Sequence, residues 1–144
     1  MTKDAVMRKN FTWFFEMQTR WSDNDMYGHI NNALYYSYLD TVMNEFMIQG
    51  CQFKIIDEDV ISVVANSQCD YLQSISYPSI IHIGIGVERI GTKSVKYTIG
   101  FFKDNQDIAS AVASLTEVWI NKETGISVEI PEKLKMQLAK YSVI

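Results

Sequence analysis

The sequence predicts an α+β domain: a mainly antiparallel sheet wrapped on one long apolar helix. Three observations predict it. An apolar stripe at helical spacing runs from about Ala33 to Gln49. The segments after it alternate apolar and polar residues with a period of two. Short turn sequences join most of those segments, and tight turns imply antiparallel pairing.

The elements follow in order. A first strand is expected from Trp13 to Trp21, with Trp13, Phe15, Met17, Thr19 and Trp21 on one face and Glu16, Gln18 and Arg20 on the other; Phe14 breaks the alternation. Ser22 to Asn32 reads SDNDMYGHINN, rich in residues that turn the chain or cap helices. In the helix, Tyr35, Leu39, Val42, Met43, Phe46 and Met47 form the stripe, Tyr36 and Tyr38 thicken it, and Gly50 is a stop. A helix so apolar is expected to be wrapped by other elements. Strands are expected at Val60 to Leu72 (bent near Asn66), Ile80 to Ile90, Ser94 to Phe102 and Ile108 to Ile120. Gly91 to Lys93, Asp104 to Asp107 and Asn121 to Gly125 are turns. A last helix opens at Pro131, with Leu134, Leu138 and Tyr141 on one side.

A length of 144 residues suits one domain, residues 1–144, with a substantial core. Apolar residues make up 47% and charged residues 21%, which excludes a disordered or fibrous chain. The net charge of −4 argues against nucleic acid as the main partner. No apolar run is long enough to span a membrane, and the first residues do not read as a signal peptide. A cytoplasmic location is therefore expected, with Cys51 and Cys69 as free thiols. Two histidines, His29 and His82, are too few for a His-rich metal site, and no metal is expected. His82 has no acidic neighbour in the local sequence and reads as a surface or interface residue.

The chemically useful residues concentrate between Asp23 and Asn32, immediately before the apolar helix. A helix start offers unpaired N–H groups and the positive end of the macrodipole, which suit an oxyanion or a polarised carbonyl. A carboxylate beside those donors could attack an acyl group or deprotonate water next to it. Asp and Asn before a helix are also the usual caps, so the residues alone leave catalysis and capping both open.

Arg20 to Tyr35, RWSDNDMYGHINNALY, resembles the signature of the hotdog-fold acyl-CoA thioesterases, in the branch similar to 4-hydroxybenzoyl-CoA thioesterase: D-x-D, two variable residues, then G-H-[VI]-N-N, a small residue, any residue and Tyr. Asp70-Tyr71-Leu72, Ile90-Gly91-Thr92-Lys93-Ser94, Thr124-Gly125 and Ile130-Pro131 resemble further stretches of that family, over roughly residues 12–141. The resemblance implies a hotdog fold and hydrolysis of an acyl-CoA thioester without a cofactor, CoA being part of the substrate. It implies Asp25 as nucleophile or general base and His29 as a supporting catalytic or orienting residue. The oxyanion and positioning residues would be Gly28, Asn31 and Asn32, and Asp23 a loop anchor. Arg89, Lys93, Ser94 and Lys96 would contact CoA phosphates. It also implies a homodimer, or a tetramer or hexamer built from dimers. Two other functions fit the fold: a non-catalytic acyl-CoA-binding module and a hydratase or dehydratase. The latter resembles Asp-x-Asn-Pro-x-His, which differs in spacing from Asp25 to His29 and includes an Asn-Pro missing here.

Overall fold

A computed structural model describes residues 6–143 of the chain. Five strands form one antiparallel sheet: β1 (Phe14–Gln18), β2 (Val60–Tyr71), β3 (Ile80–Ile90), β4 (Ser94–Lys103) and β5 (Ala111–Asn121), in the order β1-β3-β4-β5-β2. The helix α1 (Asn32–Glu45) lies against the inner face and continues as a π-helical turn over Phe46–Gly50. A short helix α2 (Glu132–Leu138) follows Pro131 at the C-terminal side. This is the hotdog arrangement expected from the sequence, a curved sheet around one long helix.

Burial explains the wrapping. Val42 and Phe46 of the helix are fully buried, as are Ile83, Tyr97, Ile99 and Trp119 of the sheet. Aromatic edges lock the two layers: Tyr35 meets Phe101 at 5.3 Å and Phe46 meets Tyr97 at 6.2 Å between ring centroids. Fully burying each such side chain contributes about 1.5–3 kcal/mol, so the inner layer is the main source of stability.

A second, smaller cluster covers part of the outer face: Val6, Phe11, Phe102, Ala109 and Val112, with Phe14 packed on it. This explains Phe14, which interrupts the inward alternation because it has its own apolar site behind the sheet. Gly84 and Gly100 are cross-strand partners beneath that cluster. A Cβ at Gly84 would lie 2.7 Å from the Phe11 ring and one at Gly100 2.6 Å from Phe102, so both positions admit the aromatic layer only as glycine.

Three sequence expectations change. The first strand ends at Gln18 rather than Trp21. Thr19 leaves the ladder by exchanging hydrogen bonds with the Ser79 backbone, and Trp21 opens a 3-10 turn, 82% exposed. The last strand starts at Ala111, not Ile108. The Ser110 carbonyl accepts from the N–H groups of Leu72 and Gln73 instead, and Ile108 makes one bridge with Met7. His82 is not without acidic company: its Nε2 lies 3.4 Å from Glu16, delivered by β1, and its Nδ1 lies 2.6 Å from the Arg8 guanidinium. The bend expected near Asn66 is a bulge between Val64 and Asn66. Cys51 and Cys69 are free.

Candidate active site

Between Arg20 and α1 the chain forms a tight loop whose two carboxylates have opposite environments. Asp23 is 1% exposed. Its Oδ2 accepts from the Arg20 backbone N–H at 2.9 Å and from the Tyr38 hydroxyl at 2.5 Å, and its Oδ1 from Arg20 Nε at 3.0 Å. Arg20 Nη2 adds an ion pair at 2.9 Å. Burial raises the Asp23 pKa, but the bonds from Tyr38 and Arg20 outweigh it and hold the carboxyl below its ordinary value. Through Tyr38, Asp23 ties the loop to the second turn of α1. The Asp23 carbonyl also accepts from the Asn31 N–H at 3.0 Å, so the loop closes on itself just before the helix.

Asp25 sits at the other side of this closed loop, partly exposed. Its N–H donates to the His29 carbonyl at 2.8 Å and its own carbonyl accepts from Gly28 at 3.1 Å. Its side-chain Oδ1 accepts from the Tyr27 N–H at 2.9 Å. Gly28 turns the chain at φ +83°, a left-handed conformation that favours glycine. Asn24 and Ile30 bridge across the loop's base. Two further bonds fix it to the β2–β3 connection: Ile30 N–H to the Ile75 carbonyl at 2.8 Å, and Tyr77 N–H to Asn24 Oδ1 at 3.0 Å.

The helix start completes the site. Asn31 is the N-cap, its side chain accepting from the Ala33 N–H at 3.0 Å. The Asn32 N–H takes no partner among the hydrogen bonds of the described residues. Tyr71, at the end of β2, donates its hydroxyl to the Asn32 carbonyl at 3.1 Å and packs edge-on against Tyr35, 5.0 Å between centroids. Burial pushes the Tyr35 hydroxyl up to about 12, so it stays a neutral donor.

Asp25, His29, Ile30, Asn32, Tyr35, Tyr71 and the segment Leu72 to Ser74 line one cleft of about 280 Å³. Its chemistry is mixed: a carboxylate, an imidazole and a helix N-terminus beside two tyrosines, apolar Ile30 and Leu72, and polar Gln73 and Ser74. Asp25, His29 and Asn32 thus line one cleft, with Asn31 as cap and Gly28 as the turn behind them. The sequence marks Tyr35 in the aromatic run of the helix and Tyr71 in the Asp70-Tyr71-Leu72 stretch, whereas Gln73 carries no signal.

Arg89, Lys93, Ser94 and Lys96 lie elsewhere. Phe101 and Ala111 pair in the row that ends at Tyr71, beside the cleft. Ser94 is seven residues away along β4, about 24 Å at the usual strand rise. Lys96 faces Glu88 at 3.6 Å. Within one chain these groups do not reach the cleft. Among the described residues no cluster of His, Cys, Asp or Glu side chains could hold a metal ion, and no helix is long and apolar enough to cross a membrane.

Residues 19–138 match the sequence model of the thioesterase-like superfamily. The chain is similar to the PA5185 protein of Pseudomonas aeruginosa strain PAO1, whose crystal structure is 34% identical, covers 95% of this chain and 96% of that one, and superimposes with a TM-score of 0.90. It is 24% identical over 132 residues to YsmA of Bacillus subtilis (strain 168), covering 91% of this chain and 88% of YsmA. A DHNA-CoA thioesterase from Staphylococcus aureus shares the fold at 20% identity and a TM-score of 0.78, with 88% of each chain covered.

Proposed function

The chain belongs to the thioesterase-like superfamily and is by family a thioester hydrolase; from that premise we propose that it hydrolyses acyl-CoA thioesters in the cleft at the start of α1. One observation carries this reading: Asp25 and the unpartnered Asn32 N–H line the same cleft. The thioester carbonyl oxygen sits at the helix N-terminus, where the N–H and the macrodipole favour developing negative charge. Asp25 acts as nucleophile or as general base for water. His29, which lines the same cleft, orients the loop or the substrate. The leaving thiolate has a pKa near 8.5 and departs without strong acid help, so a carboxylate, a water and oxyanion donors suffice. Support for CoA as the carrier comes from the DHNA-CoA thioesterase that shares the fold.

The same reading includes a homodimer. β2 is a twelve-residue strand at the edge of the sheet, with Val63 39% and Val64 60% exposed. Such an edge invites pairing with another strand. Antiparallel pairing of β2 with its own copy, about an axis near Asn66, would carry the partner's 60-end of β2 to this chain's cleft. The partner's β3–β4 turn lies at that same end, so its basic residues would approach the cleft that their own chain cannot reach.

Thiol release from acyl-CoAs of graded chain length tests the activity. Hydrolysis of one or more of them with multiple turnovers is expected. A folded protein that binds acyl-CoA and releases no thiol is a binding module instead, and one that hydrates enoyl-CoA belongs to the dehydratase reading. Light scattering tests the assembly, with twice the chain mass expected at micromolar concentration.

A further inference from the structure

A second cavity, of about 110 Å³, follows the first along the seam between α1 and β2. The cleft occupies the seam at Asn32, Tyr35 and Tyr71; the second cavity occupies it at Leu39, Met43, Val64 and Ser67. A small side chain opens it: on β2 the residue opposite the inward-facing Leu115 is only Ser67, so the helix and the strand do not close on each other there. Leu39, Met43 and Leu115 give it apolar walls.

Two carboxylates also line it, the exposed Asp40 and the buried Glu117. Glu117 lines the cavity and is 7% exposed. It is in none of the ion pairs of the described residues. Desolvation by burial and the charge of Asp40 raise its pKa, partly offset by a hydrogen bond from Ser62. An apolar residue would fill the site at lower cost, since burying an unpaired carboxyl is unfavourable unless it is protonated or hydrogen-bonded. Ser62 bonds it, and the cavity it lines is shared by Asp40 and Ser67 with the apolar Leu39, Met43 and Leu115.

We propose that this cavity receives the far end of the acyl group, and that Glu117 is a specificity-determining residue that bonds a hydroxyl there. The inference rests on the reading of the first cleft as the thioester site. From Asn32 to the level of Asp40, beside Glu117, is eight helical residues, about 12 Å. An extended chain advances about 1.2 Å per bond, so the hydroxyl lies roughly ten bonds from the thioester carbonyl. The cavity has room for roughly four water-sized groups at about 30 Å³ each, enough for the last carbons and the hydroxyl. A hydroxyl both donates and accepts, so it can bond a carboxyl in either protonation state. The substrate class is therefore a medium-chain hydroxyacyl thioester, hydroxylated near its end.

The test measures dissociation constants of two non-hydrolysable thioethers, S-decyl-CoA and S-(10-hydroxydecyl)-CoA, alongside kcat/KM for the corresponding thioesters. The native protein is expected to bind the hydroxylated ligand more tightly. That preference should fall about tenfold in Glu117→Leu, the loss of one neutral hydrogen bond, and largely persist in Glu117→Gln. Ser67→Leu, which fills the cavity, should weaken both ligands and serves as the test if Glu117→Leu does not fold. An unchanged preference in Glu117→Leu, or unchanged decyl binding in Ser67→Leu, overturns the inference. So does tighter binding of the 10-aminodecyl analogue, which would assign the cavity to a cationic group, or failure of the native protein to bind either thioether. Hydrolysis without discrimination leaves the thioesterase reading standing and removes this one; discrimination in binding without hydrolysis removes the catalytic reading and leaves the cleft and cavity as an acyl-CoA-binding site selective for the hydroxyl.

Discussion

Asp23 and Asp25 are two residues apart, and their surroundings could hardly differ more. Asp23 is buried, with bonds from Arg20 and Tyr38 on both its oxygens. Asp25 lines the cleft with one backbone donor on a single oxygen. A carboxylate saturated by fixed donors is held in its charged form and in one place; it positions a loop and has no lone pair to offer a substrate. A carboxylate with a free oxygen beside a helix N-terminus can act on one. The D-x-D spacing therefore divides the labour, the first acid holding the loop so that the second reaches the cleft.

Substitutions that separate turnover from stability test this division. The largest effect is expected from Asp25→Asn, which keeps shape and removes the charge. Turnover should fall by about 10²–10⁴, the range for losing a general acid–base group, with KM little changed where it approximates Kd and Tm near that of the native protein. Steady-state kinetics and a thermal melt on one preparation check both halves.

Asp23→Asn should invert the pattern. Losing charge-assisted bonds to Arg20 and Tyr38 costs about 2 kcal/mol, or about 4–8 °C in Tm for a chain of this size, while the folded fraction keeps substantial activity. If Asp23→Asn is folded yet inactive and Asp25→Asn remains active, the two roles are exchanged.

The pH dependence sharpens the comparison because Asp23 and Glu117 have opposite signs. The Asp23 pKa is lowered on folding, so its contribution is full above its unfolded value near 3.8 and is lost as pH falls through the folded value. The acid limb of the melting curve should flatten in Asp23→Asn. The Glu117 pKa is raised, so it destabilises increasingly as pH rises above 4.5 toward its folded value. Glu117→Gln should match the native Tm below pH 4.5 and exceed it at neutral pH. Melts from pH 3 to pH 8 separate the two.

The smallest effect is expected at Gly28. A Cβ there meets nothing within 4 Å, so only the backbone conformation at φ +83° opposes a side chain. Gly28→Ala should cost about 1–2 kcal/mol. A larger loss of kcat than of stability would mean that the loop's exact course, and not only its presence, sets the reach of Asp25.

The element order, the central helix and the loop that carries Asp25 are legible in the sequence, because these depend on local periodicity and turn chemistry. Even the bulge at Val64 and Asn66 was legible as a bend. Tertiary structure decided everything that depends on which strands become neighbours. Trp21 follows the strand's alternation but lies outside, because Asp23 and Arg20 close a turn there first. His82 meets Glu16 only because β1 pairs with β3, and it meets Arg8 only because the N-terminal segment lies beside the Asp104 turn. Glu117 has the same parity as Trp119, a signal present in the sequence. What that parity means appears only when α1, β2 and β5 enclose a cavity beside it. The basic residues between Arg89 and Lys96 are local in sequence, yet the strand length sets them about 24 Å from the cleft. A sequence pattern records which face a side chain takes; the distance between faces of different elements is fixed by packing alone.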